Sequence, residues 1–273
     1  MIWQRLVLVC LGALAPCGFT SIDPATGSRA PDTLTHRTIL IGRSVDGRPI
    51  AAIETGDGDS PMKTLVVGCI HGNEPGGIAV AAKLEHTTPP PETDTWIIPD
   101  LNPDGVANGT RGNADGVDLN RNFPARWMPL EGVYDSGPRP LSEPESRLAA
   151  RLIRRIRPSV SIWFHQHLDV VDDSTGSRQI ERRFARVADL PVAPLTPEPG
   201  SAVTWESRRF PGATAFVVEL PAGVLAPAAL NRLTLAVRAA SVAAGRHGRS
   251  AILMIGPLAA AFAVFPRRGV AGE

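Results

Sequence analysis

Aromatic residues and cysteines are both scarce in this 273-residue chain. Aromatic residues make up 5% of it, with a single tyrosine, Tyr134, and the three cysteines are Cys10, Cys17 and Cys69. The first two lie in an N-terminal segment that we expect to be removed, which leaves Cys69 without an internal partner. We therefore expect no disulfide in the mature protein. Cys69 lies within an apolar run, residues 64–70, and we expect it to be a buried, unreactive thiol.

The chain also lacks an excess of charge. Its 28 Lys and Arg residues balance 27 Asp and Glu residues, for a formal net charge of +1 at pH 7. Bulk charge therefore gives no reason to expect a nucleic-acid partner. The G-x-S-x-G pattern of many serine hydrolases is absent, which argues against that class. Glycine and proline number 26 each, a composition that predicts many turns and little long helix.

No apolar run near the N-terminus is long enough to span a membrane comfortably, but residues 1–17 have the pattern of a signal peptide. Arg5 provides the positive start, and residues 6–15 provide an apolar stretch of suitable length. We expect residues 1–30 to be signal peptide and linker. We expect the protein to be exported, to the extracellular space, the periplasm or the cell envelope. The segment ending at Cys17 also resembles a bacterial lipobox, so lipid anchoring at Cys17 is an alternative.

The C-terminal tail, residues 246–273, is nearly uncharged between residues 251 and 265 and has arginine pairs on either side. Its apolar stretch is short for a bilayer, and Pro257 interrupts it. We expect a loosely packed helix or a segment that lies at a membrane interface rather than a span. Either end of the chain could therefore associate with a membrane. We expect the protein to be a monomer.

Between these ends, residues 35–245 have the pattern of one α/β domain. Helices are predicted after Pro75, at 178–188, at 226–244 and after Ser142-Glu143-Pro144-Glu145, which has the form of a capping box. Several apolar runs are continuous, as in strands covered on both faces. The predicted architecture is a mixed β-sheet sandwiched between helices, in three layers. The predicted strands are 38–41, 49–54, 64–70, 95–98, 160–164 and 215–220.

Residues with metal-ligand chemistry follow two of these predicted strands. His71 and Glu74 come directly after strand 64–70 and are three residues apart, so one turn can direct both side chains to one point. A catalytic zinc ion needs one more protein ligand and an open position for water. His165 follows strand 160–164 and can provide that ligand. His167 would share its face if the strand continued. Spacing therefore leaves both histidines open, and we favour His165 because it stands at the strand end.

Seven short motifs follow one another over residues 44–221. They are Ser44 with Gly47-Arg48-Pro49-Ile50, His71-Gly72-Asn73-Glu74, Asn102-Pro103-Asp104-Gly105, Asp118-Leu119-Asn120-Arg121-Asn122-Phe123-Pro124, Ser142-Glu143-Pro144-Glu145, the strand ending at His165, and Val218-Glu219-Leu220-Pro221. In this order they resemble the M14 zinc carboxypeptidase family, and within it the murein peptide amidase type. One motif could arise by chance, whereas an ordered set that covers most of the chain is hard to explain in that way.

The resemblance implies the zinc carboxypeptidase fold and one zinc ion bound by His71, Glu74 and His165. It also implies that Glu219, in the predicted strand 215–220, is the general base. A carboxylate beside the metal can take the proton of the attacking water and later pass it to the leaving amine. The implied class is therefore a zinc metallocarboxypeptidase-type hydrolase.

Three further residues match one catalytic position and two substrate-binding positions in that family. Arg111 matches the arginine that stabilises the oxyanion of the tetrahedral intermediate, because a positive charge there lowers the energy of the developing negative charge. Asn120 and Arg121 match the pair that binds the terminal carboxylate of the substrate, which a guanidinium can hold by two parallel hydrogen bonds. The implied reaction is hydrolysis of an amide bond next to a free carboxylate.

The chain departs from the digestive members of the family in one loop. Those enzymes close over the substrate with a mobile tyrosine, but no tyrosine lies between His165 and Glu219, and Tyr134 is far earlier in the sequence. The loop is also short and rich in proline, which predicts an open pocket. Both features fit the bacterial branch that acts on murein peptides. We therefore expect a peptide or muropeptide substrate, for example one with a D-glutamyl-diaminopimelate bond.

The segment that precedes Glu219 contains Trp205, Glu206, Arg208 and Arg209. These residues are either part of an ordinary polar loop or part of the pocket wall. The sequence alone does not separate the two interpretations.

Two other functions are compatible with parts of this pattern. An N-acyl amino acid deacylase of the succinylglutamate desuccinylase or aspartoacylase type would share the zinc site, the Asn-Arg pair and the general base. The exported N-terminus and the Asn-Pro-Asp-Gly and Ser-Glu-Pro-Glu segments favour the peptidase instead. A non-catalytic envelope-binding module on the same fold is the second alternative. The retention of all the predicted ligands and catalytic residues argues against it.

Overall fold

The structure is a computed structural model that describes residues 34–259, with side chains described for residues 34–245. The predicted signal peptide and linker, with Cys10 and Cys17, lie outside the described residues, as do residues 260–273 of the predicted tail. Cys69 is buried, as its apolar run predicts, and this burial raises the pKa of its thiol.

The described chain folds into one mixed sheet and six α-helices. The strands, in chain order, are β1 (Thr35–Arg43), β2 (Pro49–Gly56), β3 (Lys63–Val67), β4 (Asp94–Ile98), β5 (Val160–Gln166), β6 (Val170–Asp172), β7 (Val192–Ala193) and β8 (Thr214–Leu220). The helices are α1 (Gly76–Glu85), α2 (Pro103–Asn108), α3 (Pro144–Ile156), α4 (Arg178–Ala188), α5 (Ala202–Arg209) and α6 (Pro227–Ala259). Two short 3₁₀ turns, Leu119–Arg121 and Gly132–Tyr134, lie in the long connection between α2 and α3.

The strand order in the sheet is β1-β2-β4-β3-β5-β8-β6-β7. Its centre, from β4 to β8, is parallel. On one side β2 is antiparallel to both β1 and β4, and on the other side β6 is antiparallel to β8. The prediction of a mixed sheet is confirmed, and each of the six predicted apolar runs overlaps a strand. The sequence did not predict β6 and β7, because runs of 3 and 2 residues carry no periodic signal.

Side chains of the central strands alternate between two apolar layers, as the pleat of a sheet requires. On one face, Trp163 of β5 packs in a core that also contains Leu152 of α3 and residues of α5. On the other face, Phe164 packs in a core with Phe184 of α4 and Val237 of α6. The predicted three-layer architecture is therefore confirmed. The residues that end the parallel strands meet at one edge of the sheet, between these layers.

The start of α3 differs from the prediction in its capping. Glu143, not Ser142, is the residue that precedes the helix, and no side chain caps it. The Ser142 hydroxyl instead donates to Glu143 Oε1 at 2.6 Å and accepts from Asn122 Nδ2 at 2.8 Å. The prediction of a capping box was therefore wrong, because the serine is engaged by the neighbouring loop, although Pro144 does occupy the first turn as expected.

Two helices correct the expectations for the second half of the chain. Residues 202–209 form α5 rather than a polar loop, and Trp205 packs against Phe123 and Phe210 with ring centroids 5.5 and 6.2 Å apart. The final helix, α6, has 33 residues, so the prediction of little long helix was wrong. It continues past residue 244, the predicted end of this helix. Among the described residues, no helix combines the length and the apolar character needed to cross a bilayer.

Candidate active site

The predicted metal ligands lie where two neighbouring parallel strands end. β3 ends at Val67, and a buried segment leads from it to His71. A tight turn follows, in which Glu74 N donates to His71 O at 2.9 Å. A side chain at Gly72 would meet the backbone carbon of Gly105 at 1.9 Å, so glycine is required for the two loops to approach. His165 is the sixth residue of β5, beside this turn.

The structure brings His71, Glu74 and His165 together into one triangle of ligand atoms. His71 Nδ1 lies 3.0 Å from Glu74 Oε2, His165 Nδ1 lies 3.1 Å from the same oxygen, and the two Nδ1 atoms are 3.1 Å apart. Ligands about 2.0–2.1 Å from a tetrahedral zinc ion are separated by only slightly more than this. The three donors therefore fit a zinc ion with one coordination position left open. His167 is exposed and is not part of the triangle.

Asp118 supports this triangle from behind, and the sequence analysis had given it no role. It is fully buried and accepts hydrogen bonds from His71 Nε2 at 2.9 Å and from Arg111 Nε at 2.8 Å. Carboxylates commonly orient metal-binding histidines through the second ring nitrogen in this way. The first residue of the motif Asp118-Leu119-Asn120-Arg121 was the available signal, but spacing does not show that its carboxylate faces His71.

The charges around the triangle favour a cation. Burial lowers the pKa of His71, but the charge of Asp118 and hydrogen bonds to Asp118 and Glu74 outweigh it and raise the pKa overall. Burial likewise raises the pKa of Glu74, yet its hydrogen bonds to His165 and His71 hold that pKa well below its usual range. These carboxylates are therefore ionised, and they stabilise positive charge at the point where the three ligand atoms meet.

Glu219 lies beside the triangle on the next strand. It is opposite His165 in the register of the parallel pair β5–β8, so the two side chains point to the same face of the sheet about 4.8 Å apart along the hydrogen-bonding direction. Its Oε2 atom is buried and has no hydrogen-bond partner among the described residues. Glu219 lines the cleft, and a carboxylate oxygen without a partner is available to accept a proton.

The structure also places Arg111, predicted to stabilise the oxyanion, and the predicted substrate-binding pair Asn120 and Arg121 in this cleft. Arg111 Nη1 donates to Glu74 Oε1 at 2.9 Å, which links the arginine to the predicted metal ligand. Asn120 Oδ1 accepts from Ala202 N at 2.9 Å, which orients the amide and leaves its Nδ2 donor for another acceptor. The guanidinium of Arg121 is largely buried and its Nη2 lies 3.9 Å from Glu198 Oε2.

Tyr134 is an aromatic residue of the cleft that sequence reasoning missed. Its ring centroid lies 5.3 Å from the guanidinium carbon of Arg111 and 5.4 Å from that of Arg121. The tyrosine is half-exposed, on the loop that carries the second 3₁₀ turn. Its distance along the chain had suggested that it was remote from the site. The fold of the loop between residues 122 and 142 instead brings it over both arginines.

The cleft has two parts, and Glu74 of the triangle lines both of them. One part, with a volume of about 310 Å³, contains Arg121, Tyr134 and Glu219. The other part, of about 640 Å³, shares Glu74 and Arg111 with the first and is lined mainly by small and apolar residues. Those residues are Pro75, Gly76, Ala79, Ala222, Gly223, Val224 and Leu225. A substrate bound at the predicted metal ligands can therefore place groups in two adjoining parts of the cleft.

Helix α5 contributes to the first part of the cleft through Val203 and Thr204. Trp205 packs into the core, and Glu206 is buried and hydrogen-bonded to the hydroxyl of Ser161. The interpretation of Trp205 and Glu206 as pocket-lining residues was therefore wrong, because the helix turns these two side chains away from the cleft.

The chain is similar in sequence to known zinc carboxypeptidases and murein peptide amidases. The family model described as zinc carboxypeptidase matches residues 27–172. Murein peptide amidase A of Escherichia coli strain K12 is 32% identical over 180 residues, which cover 60% of this chain and 74% of that protein. Murein peptide amidase A of Vibrio campbellii is also 32% identical, over 197 residues that cover 66% of this chain and 77% of that protein.

Solved structures show the same architecture. The crystal structure of the murein-tripeptide amidase from Escherichia coli O157 superposes with a TM-score of 0.66 at 27% identity, and the match covers 76% of this chain and 94% of that one. Bovine thrombin-activatable fibrinolysis inhibitor superposes with a TM-score of 0.64 at 19% identity, covering 81% of this chain and 92% of that one, which shows a shared fold.

Proposed function

The chain belongs to the M14 zinc carboxypeptidase family, and from this premise we propose that it is an exported zinc-dependent peptidase that hydrolyses an amide bond next to a free carboxylate in murein-derived peptides. The observation that carries the proposal is the triangle of His71, Glu74 and His165 with Glu219 beside it on the next strand. This arrangement provides three metal ligands and one further carboxylate within a single open cleft.

The proposed reaction needs a Lewis acid and a base that transfers a proton. A zinc ion bound at this site supplies Lewis acidity, which polarises the scissile carbonyl and lowers the pKa of water held beside it. Glu219 accepts the proton of the attacking water through its unpartnered Oε2 atom and then delivers that proton to the leaving amine. Asp118 keeps the His71 ring oriented throughout, because it accepts the hydrogen bond from Nε2.

The arginines and Asn120 orient the substrate. The guanidinium of Arg111 adjoins Glu74, and a donor at that point stabilises negative charge on the carbonyl oxygen as it develops. Arg121 and Asn120 hold the free carboxylate of the leaving residue, on the same side of the cleft as Glu219. The acyl part of the substrate then lies in the apolar part of the cleft, next to Pro75 and Leu225.

Different observations support the murein substrate and the export of the protein. Two relatives are murein peptide amidases by name, and the matches cover 74% and 77% of their lengths. In addition, no tyrosine lies between His165 and Glu219, which distinguishes the chain from the digestive enzymes. Export is supported by Arg5 and the apolar stretch 6–15. Murein lies in the cell envelope, so an exported enzyme would meet this substrate.

Mass spectrometry of defined substrates incubated with the zinc-loaded protein tests the proposal. We expect cleavage of L-alanyl-γ-D-glutamyl-diaminopimelate at the glutamyl bond, loss of cleavage after chelation and recovery after zinc is returned. N-acetylaspartate and succinylglutamate serve as the comparison substrates. Preferential hydrolysis of these acyl amino acids would assign the site to a deacylase instead, and no metal-dependent hydrolysis of either class would contradict an enzymatic role.

A further inference from the structure

Two side chains of the active site lie on one loop without regular secondary structure. This loop, residues 109–118, connects α2 to the first 3₁₀ turn and carries Arg111 and Asp118. Arg111 donates to Glu74, and Asp118 accepts from His71, so the loop contacts two of the three residues of the triangle. The placement of this loop against the rest of the domain therefore decides where Arg111 and Asp118 stand.

A single buried amide side chain both closes this loop and attaches it to α3. Asn113 is 4% exposed. Its Oδ1 accepts from Asp115 N at 3.2 Å and from Val117 N at 3.1 Å, both within the loop. Its Nδ2 donates to Glu143 Oε2 at 2.8 Å and to Glu145 Oε2 at 3.2 Å. An asparagine side chain offers two donors and two acceptor positions, so all four are in use.

The two glutamates that accept from Asn113 are buried at the start of α3. Neither Glu143 nor Glu145 is paired with a cationic side chain among residues 34–245. The N-terminal end of a helix favours negative charge, but a buried carboxylate also needs hydrogen-bond donors. The Ser142 hydroxyl and Val45 N each donate to one Oε1 atom, and Asn113 supplies a donor for both Oε2 atoms. Loss of the Asn113 amide would leave both buried Oε2 atoms without this donor.

This contact gives a role to a motif that the proposed reaction does not use. Glu143 and Glu145 belong to the segment Ser142-Glu143-Pro144-Glu145, in which no side chain caps the helix. Neither glutamate lines either part of the cleft. They reach the active site only through the loop that Asn113 attaches to them.

We propose that Asn113 is a positioning residue, and that Glu143 and Glu145 act through it to fix Arg111 and Asp118 beside the triangle. Arg111 precedes Asn113 by two residues and Asp118 follows it by five, so a shift of Asn113 moves both. The inference rests on the proposed function where it concerns Arg111 and the substrate. Its second consequence, for zinc affinity through Asp118 and His71, does not depend on which substrate the enzyme takes.

Asn113→Asp separates the contact with α3 from the closure of the loop. The carboxylate keeps an acceptor for the two backbone donors of the loop, but it replaces the Nδ2 donor by an oxygen that is repelled by Glu143 and Glu145. We expect zinc affinity, measured by competition with a chelator, to fall by roughly 10- to 100-fold. At saturating zinc, kcat/KM for a muropeptide should fall on the order of 10²-fold, as for a catalytic group displaced by about 1 Å. Asn108→Asp, at an exposed position at the end of α2, is the matched control and should change neither quantity.

The double variant Asn113→Asp with Glu143→Gln exchanges donor and acceptor across the same contact. The new glutamine amide can donate to the new carboxylate, so zinc affinity and kcat/KM should recover by roughly 10-fold relative to Asn113→Asp alone. A folded double variant without recovery would overturn the proposal. A single variant with a lower unfolding temperature but unchanged zinc affinity and kcat/KM would also overturn it, because Asn113 would then have a merely structural role.

A second pair of variants decides the question if Asn113→Asp does not fold. Glu143→Gln keeps an acceptor oxygen for Asn113, whereas Glu143→Met has a side chain of similar length without one. We expect lower zinc affinity and lower kcat/KM in the methionine variant, and equal values in the two variants would overturn the proposal. Absence of muropeptide hydrolysis by the unmodified enzyme would instead contradict the proposed function, and the zinc affinities would still test the role of Asn113.

Discussion

His165 and Glu219 occupy the same level of two adjacent parallel strands, β5 and β8. One is a corner of the triangle of ligand atoms, and the other is the carboxylate with a buried, unpartnered oxygen. Their separation is set by the hydrogen-bonded register of the sheet rather than by a loop. The predicted metal ligand and the predicted base are therefore held at a constant distance, which is a requirement for proton transfer beside a metal.

Glu219→Gln should separate metal binding from turnover. The amide keeps the size of the side chain but is a far weaker base, so kcat should fall by roughly 10²- to 10⁴-fold. Zinc content should stay the same, because Glu219 is not part of the triangle. The measurements are muropeptide hydrolysis and metal content of the purified variant. A variant with full activity would remove Glu219 from the role of base.

His165→Ala and His167→Ala form a matched pair that tests the choice between two nearby histidines. The Nδ1 atom of His165 lies 3.1 Å from both other ligand atoms, whereas His167 is exposed. We expect the His165 variant to lose most of its bound zinc and the His167 variant to keep it. Metal analysis after dialysis gives the answer, and the reverse order of zinc loss would exchange the two assignments.

Asp118→Asn should weaken zinc binding although Asp118 is not part of the triangle. The change removes the charge that orients His71 and Arg111, and outer-shell changes of this kind lower metal affinity by roughly 10- to 100-fold. Competition with a chelator of known zinc affinity measures the effect. The control is Asp115→Asn, which changes an exposed carboxylate of the same loop. Equal zinc affinities for the two variants would show that Asp118 does not stabilise the metal site through His71.

Tyr134→Ala should raise KM for muropeptides, because the ring no longer covers the guanidinium groups of Arg111 and Arg121. Contacts of this kind are worth about 0.5–1 kcal/mol each when exposed, so the loss of both predicts a rise of roughly 5- to 30-fold. Tyr134→Phe keeps the ring and should behave like the unmodified enzyme. The neighbouring exposed Val133→Ala is the control. Equal losses in the Phe and Ala variants would assign the effect to the hydroxyl group instead.

Glu206→Gln should change how the stability of the protein depends on pH. Burial raises the pKa of Glu206 from 4.5 to about 7, against opposing hydrogen bonds from Ser161 and Trp163. Because the folded state binds this proton more tightly than the unfolded state, the free energy of unfolding should fall as pH rises from about 4.5 to about 7. The neutral glutamine should remove this contribution, which is on the order of 3 kcal/mol above pH 7.

Denaturant unfolding of the zinc-loaded protein at several pH values measures this contribution. Glu131→Gln, at an exposed position, is the control and should leave the pH dependence unchanged. If the Glu206 variant keeps the same slope between these pH values, then Glu206 is ionised in the folded protein and the explanation fails.

Much of the fold followed from patterns that are local in the sequence. The continuous apolar runs at 64–70 and 160–164 overlap β3 and β5, and the range predicted for α4 agrees with its observed bounds. Short strands such as β6 and the true cap of α3 were not predictable. They depend on neighbours that the local pattern does not include, such as β8 for β6 and Asn122 for Ser142.

The family and the set of candidate ligands followed from the amino-acid sequence. The spacing of His71 and Glu74 within one turn is visible in the local sequence. The position of His165 is visible because it follows an apolar run, and the ends of parallel strands meet at one edge of a sheet. The completion of the triangle by His165 rather than His167 became clear only from the folded chain. The fold also brings Tyr134 into the cleft. Closeness between residues far apart in the chain depends on strand order and loop path, which hydrophobic periodicity does not encode.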